Sequence, residues 1–314
     1  MKFGVVDMQG VAGSADPIAH AEKLEAWGYD AYWIPDLLSY HHPDPFVLLA
    51  AVAARTSRLR VGTDVAALPL RSPFQLAKLV TSVDVLSNGR FDLGVGIGLV
   101  PEEFALEGVE MRMRAPISNE ILEIVKRLLN EEGVSHAGER YRFENFTLEP
   151  RPIQQPGVPI WVGGIWYDGI AEGVVQRTAR WGDGFIPGRM PVAGYRESHE
   201  RISERARAEG RDLSSFRWGA STWACLDSSA ERARESILSI MRGEGGGSNA
   251  ATSSGAPLNP EALLTGTPRE CIDTIERYQG AGVNEFMIVF GCAPEHLLEQ
   301  YQQFAEEVIP HFRR

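Results

Sequence analysis

The chain has 314 residues, with 31 Lys and Arg against 42 Asp and Glu and a formal net charge of −11. An acidic balance without a basic run excludes nucleic acid as a partner, and no segment reaches the ~18 consecutive apolar residues that span a bilayer. Three scattered cysteines (Cys225, Cys271, Cys292) without a CxxC pair exclude a disulfide framework and indicate a reducing compartment.

The opening MKFGVVDMQG carries too short an apolar run for a signal peptide, so a cytoplasmic protein is expected. Strand-length apolar runs then alternate with helix-length amphipathic ones. Strands are expected at 3–7, 31–35, 59–65, 91–97, 159–164, 184–188, 217–226 and 285–291. Helices are expected at 16–28, 45–56, 73–88, 116–132, 168–181, 193–209, 229–241, 268–281 and 294–312. Asp16-Pro17, Ser72-Pro73 and Thr267-Pro268 place an N-cap before an N1 proline, and Gly28, Gly89, Gly210 and Gly282 mark helix stops.

Alternating strands and helices imply a parallel sheet, because parallel strands need crossovers. Eight such units in this length favour a closed α/β barrel, (β/α)8, over a doubly wound sheet, and the first junction (DMQGVAG) lacks the GxGxxG of the latter. One domain over 1–314 is expected, with insertions near 99–115, 133–158 and 243–260. The alternating YRFENFTL within the second suggests a hairpin or extended edge. The Gly/Ser/Ala-rich third reads as a mobile loop or lid.

In such a barrel the site lies at the C-terminal ends of the strands. That rule selects Asp7 and Gln9, Asp36 with His41 and His42, Thr63 and Asp64, the glycines 94, 96 and 98, Gly163-Gly164 with Trp166, Asp183 and Arg189, and Trp223 with Cys225. Alternate glycines put bare backbone on one sheet face, which suits a flat ring or tight packing. Gly163-Gly164, opening a helix through Asp168, suits a phosphate at a helix terminus or a plain tight turn. His41, His42, Asp36 and Glu103 are acid–base candidates, each also readable as a solvated loop or helix-start residue. Arg112 and Arg114 read either as anion-binding or as surface residues. No HxH, HExxH or carboxylate cluster has metal-ligand spacing, and no GxSxG elbow supports hydrolysis.

These pieces, in order, resemble the luciferase-like monooxygenase superfamily, and its coenzyme F420-dependent branch in particular. RLRVGTDVAALPLRSPFQLAK (58–78), VDVLSNGRFDLGVGIG (83–98), EEFALEG (102–108), PRPIQQPGVPIWVGG (150–164), ARWGDGFIP (179–187) and GTPRECIDTIERYQGAGVNEFMI (266–288) carry the resemblance. It implies a bacterial-luciferase-like barrel, a non-prolyl cis peptide at Asp64–Val65, and F420 as cofactor with FMN as the alternative. The implied cofactor-binding residues are Asp36, Thr63, Asp64, Val65, Ala67, Gly96, Ile97, Gly98, Gly163, Gly164 and Ile165.

Asp36 matches a pocket aspartate of the F420-dependent sugar-phosphate dehydrogenases. Leu37 and Leu99 replace their adjacent histidine and pocket glutamate, which argues against sugar-phosphate oxidation. Ile97 stands where bacterial luciferase has an arginine for FMN phosphate, which favours F420. The expected function is therefore F420-dependent hydride transfer to or from a small organic substrate. FMN-dependent monooxygenation with reduced flavin, O2 and a separate reductase, or a non-catalytic flavin-binding barrel, are the alternatives. A homodimer is expected by analogy.

Overall fold

The computed structural model describes residues 1–8, 16–39, 42–242 and 259–313. Local chemistry sets the element ends. Asp16 accepts from the amides of Ile18 (2.9 Å) and Ala19, with Pro17 opening the helix Pro17–Trp27. Thr267 and Glu270 form a reciprocal capping box at Pro268–Gln279. Ser72 precedes Pro73–Leu86 without a side-chain capping bond. Gly28, Gly89, Gly210 and Gly282 all take positive φ, between 72° and 103°, so each turns the chain out of its helix in a conformation other residues resist.

Twelve strands lie among the described residues: β1 (Lys2–Val6), β2 (Ala31–Ile34), β3 (Arg60–Thr63), β4 (Ala66–Ala67), β5 (Phe91–Gly96), β6 (Val134–Ala137), β7 (Arg142–Phe146), β8 (Ile160–Ile165), β9 (Gly184–Gly188), β10 (Arg217–Leu226), β11 (Leu264–Gly266) and β12 (Glu285–Phe290). Eight of them close a parallel ring in the order β12-β1-β2-β3-β5-β8-β9-β10, with β10 pairing back onto β12. The expected α/β barrel is the observed fold.

Two local differences accompany one expected feature, the hairpin in the second insertion. The expected strand 59–65 ends as β3 at Thr63, ahead of a cis Asp64–Val65 peptide, and β4 just beyond it pairs with β5 through Ala66↔Val95 and Ala67↔Gly96. The helix expected from 168 begins at Glu172, because the chain bends at 167–169 and reaches its N-cap only at Ala171. The segment 133–158 holds the antiparallel pair β6–β7, packed through Phe74 against Phe143 and Phe146. Residues 243–258 of the expected lid lie outside the described residues.

The barrel interior is layered. Trp33 and Trp161 fill its middle, edge to face at 5.8 Å, and both are fully buried. Glycines face them: Gly4 and Gly62 against Trp33, Gly184 and Gly219 against Trp161, where an added Cβ would collide with the indoles. Below, Arg217 lies over the Trp161 ring at 4.4 Å and pairs with Asp92 (2.6 Å) and Glu285 (2.7 Å), while Arg60 also grips Asp92 at 2.7 Å. The three cysteines are buried thiols, none of them joined in a disulfide. Among the described residues no helix is long and apolar enough to cross a membrane.

Burial works against the Asp92 charge, but Arg217 and Arg60 more than offset it and hold the carboxyl below the usual carboxylate range. A depressed acid contributes stability that is present above the unfolded value and lost as pH falls through the folded one. Asp92→Asn should therefore cost about 3–5 kcal/mol at pH 7 in urea unfolding. The gap to wild type should narrow below about pH 4.

Candidate functional site

Strand alternation places the next inward residues one layer above the tryptophans. Two positions beyond Gly4, Gly62, Trp161, Gly184, Gly219 and Met287 stand Val6, Asp64, Gly163, Ile186, Ser221 and Val289, and all six line a cavity of about 320 Å³ at the C-terminal mouth of the barrel. This is the end at which the barrel rule locates the site.

The floor is built by the cis turn. Val65 lies in the path of three glycines: a Cβ on Gly96 would come within 2.6 Å of Val65 Cγ2, and one on Gly163 within 3.0 Å of Val65 Cγ1. At Gly94 an added Cβ would strike the Thr63 carbonyl. The glycine row of β5 therefore makes room for the β3–β4 turn, and the surface offered to a ligand is Val65 together with Ala67, Gly96, Ile97 and Gly98. Thr63 stays out of the cavity wall. It is fully buried, and its Oγ1 donates to the Gly94 carbonyl at 2.7 Å.

Two of the expected acid–base residues line the cavity. Asp36 accepts both ends of the Arg71 guanidinium at 2.6 Å and the Ala67 amide at 3.2 Å, so it braces the turn that carries the floor. Glu103 is buried and accepts from the amide and hydroxyl of Ser39, both at 3.3 Å. His42 is not part of the wall, and His41 and Gln9 fall outside the described residues. Asp183 precedes β9 and binds Lys126 at 2.6 Å, at the end of the strand away from the cavity.

The far wall is cationic. Gly163, Gly164 and Ile165 meet the first turn of the helix Glu172–Trp181 through Ala171 and Val174. Arg114, Arg177 and Arg189 line the same space. Arg177 is 6% exposed; Nη1 donates to Asn119 Oδ1 at 3.3 Å, and no carboxylate among the described residues pairs with it. Burial lowers the proton affinity of the Arg177 and Arg189 guanidiniums, which an anion would relieve. Residue spacing singled out neither Arg177 nor Arg71. On a surface helix, an arginine reads as polar face until its burial is known.

Asp64 is the exception in charge. Its carboxyl lines the floor and accepts from Ser221 Oγ at 3.0 Å, and burial pushes it up to about 7. Among the described residues no group of His, Cys, Asp and Glu is placed to hold a metal ion.

Residues 1–285 match the model for luciferase-like monooxygenases, and the chain belongs to that family, a family of oxidoreductases. Among its relatives, an F420-dependent glucose-6-phosphate dehydrogenase from Amycolatopsis mediterranei is 28% identical over 96% of this chain and 95% of its own length. The 4-hydroxyprotoasukamycin monooxygenase of Streptomyces nodosus subsp. asukaensis is 32% identical over 45% of this chain, and the match spans 39% of that enzyme. Solved structures share the fold: monooxygenase RslO1 from Streptomyces bottropensis (TM-score 0.82, 24% identity, covering 99% of this chain and 100% of that one) and an F420-dependent secondary alcohol dehydrogenase (TM-score 0.82, 18% identity, 100% and 99%).

An acid whose folded value is raised destabilises the fold as pH climbs from the unfolded value to the folded one. Replacing Asp64 with Asn should leave Tm near wild type at pH 4. Its advantage should grow to about 5 °C by pH 7–8 and then level off, as read by thermal melts across pH.

Proposed function

We propose that this chain is an F420-dependent oxidoreductase that moves hydride between the deazaflavin and a small organic substrate. The observation that carries the reading is Arg177, paired with no carboxylate among the described residues and nearly buried in the pocket wall beside a helix start, across from a floor of Val65 and small residues. A phosphate-bearing tricyclic ring answers both ends. Amides at a helix start and a desolvated guanidinium hold the anion, and Val65 with Ala67 and Gly96 supports the ring.

When bound, the deazaflavin supplies a ring carbon that gives or takes hydride. The chain's own residues orient it and keep water away. Val6, Met8, Leu37, Leu99, Trp223 and Val289 make the remaining wall largely apolar, which suits an uncharged substrate. Leu37 and Leu99 offer no hydrogen bond to a sugar phosphate. Support for F420 comes from Ile97, which provides no cation for an FMN phosphate at that point, and from the nearly full-length F420-dependent relative. Monooxygenation with reduced FMN, O2 and a separate reductase is the second reading, favoured by the fold likeness to RslO1.

Titration with F420 and FMN separately tests the reading. F420 should bind at least tenfold more tightly than FMN, and the opposite preference would select the monooxygenase reading. Arg177→Gln should weaken F420 binding about 10–100-fold, the loss expected for one charge-assisted hydrogen bond or two. An unchanged affinity would remove Arg177 from the anion site.

A further inference from the structure

Three carboxyls line the cavity, and two are engaged elsewhere. Asp36 is neutralised by Arg71, and Glu103 holds the Ser39 turn. Asp64 differs in place and partners. It directly follows β3, its amide is tied to the Ile34 carbonyl at 2.9 Å, and among the described residues its carboxyl is engaged at Oδ2 alone, by Ser221 Oγ. No cation among the described residues pairs with it. β1, β8, β9, β10 and β12 present Val6, Gly163, Ile186, Ser221, Trp223 and Val289 to the cavity. The charged or titratable groups come from loops and helices: Asp36 with Arg71, Glu103, Arg114, Tyr167, Arg177 and Arg189.

We propose that Asp64 is the acid–base residue of this pocket, exchanging a proton with a hydroxyl or carbonyl substrate while Ser221 positions its carboxyl. The proposal rests on the F420 reading above. In the oxidation of a secondary alcohol, the C–H bond breaks and its electron pair leaves with the hydrogen as hydride to the oxidised deazaflavin. The O–H bond breaks, its proton goes to the Asp64 carboxylate, and its electron pair becomes the second C–O bond of the ketone. Carbonyl reduction runs the same step backwards, with protonated Asp64 giving the proton. A carboxyl held near neutrality by burial populates both forms at working pH, as such a role requires.

The test has one readout on the protein alone and two on the loaded enzyme. Infrared titration of the ligand-free chain should show a protonated-carboxyl band that fades with a midpoint near pH 7, is absent in Asp64→Asn and persists in Glu103→Gln. Asp64→Asn should bind F420 within about threefold of wild type, yet reduce it about 10²–10⁴-fold more slowly with 2-propanol, cyclohexanol or benzyl alcohol. Wild-type oxidation should rise with pH to a plateau above about 7, and Ser221→Ala, which removes a bond that favours the carboxylate, should move that rise to higher pH.

A band that survives in Asp64→Asn, or a pH limb lost in Glu103→Gln but kept in Asp64→Asn, overturns the assignment. So does the absence of wild-type turnover on all three alcohols while F420 binds. Failure of wild type to bind F420 would instead sink the functional reading, and the proton step with it, leaving the infrared band as an isolated property of the carboxyl.

Discussion

Two indoles decide what this barrel can hold. Trp33 and Trp161 meet edge to face at its centre, and the cavity lies in the layer above them, on a floor that Val65 helps to build. Their bulk is accommodated because four strands present glycine at that level. The same strands, two residues further on, present the cavity wall, since successive inward positions on a strand stack in layers. Packing in the middle layer therefore sets the height and identity of the functional layer. Beneath, the Arg217–Asp92–Glu285 cluster closes the other end, with its guanidinium resting on Trp161.

Charge in the cavity is divided by position. The wall at the Glu172–Trp181 helix start is cationic, with a guanidinium taken out of water and no carboxylate among the described residues to balance it. The floor carries a desolvated acid with no cation beside it among the described residues. In a poorly solvated cavity these two groups do not need the same partner. A bound anion would satisfy the first, and a proton would relieve the burial of the second. Asp36, with formally the same chemistry as Asp64, ends as a brace because Arg71 reaches it first.

Much of the fold is legible in the residue order because its determinants are local. The strand at 184–188 and the one at 217–226 appear where alternation places them, and Asp16-Pro17 and Thr267-Pro268 cap their helices as their chemistry dictates. The divided third strand is different. The run 59–65 has a continuous strand pattern, and only the family resemblance points to the cis bond inside it. The glycines of β5 were legible as sites of close approach, but what approaches them is the Val65 side chain from a neighbouring strand. Arg177 was illegible for a related reason: a single arginine on an amphipathic helix carries no mark of whether it faces water or a pocket.

Sequence alone determined the βα alternation, the closed barrel it implies, the family, and a share of the stretch 59–98 in the cavity at the barrel mouth. Those follow from periodicity, turn chemistry and ordered motifs, all of which act over a few residues. Tertiary structure decided which polar groups share the cavity and in what state. Asp64 meets Ser221 across 157 positions of chain, and Asp36 meets Arg71 across 35. Burial and pairing are properties of such distant meetings, so the raised acid at Asp64 and the ion pair at Asp36 were written only when the barrel closed.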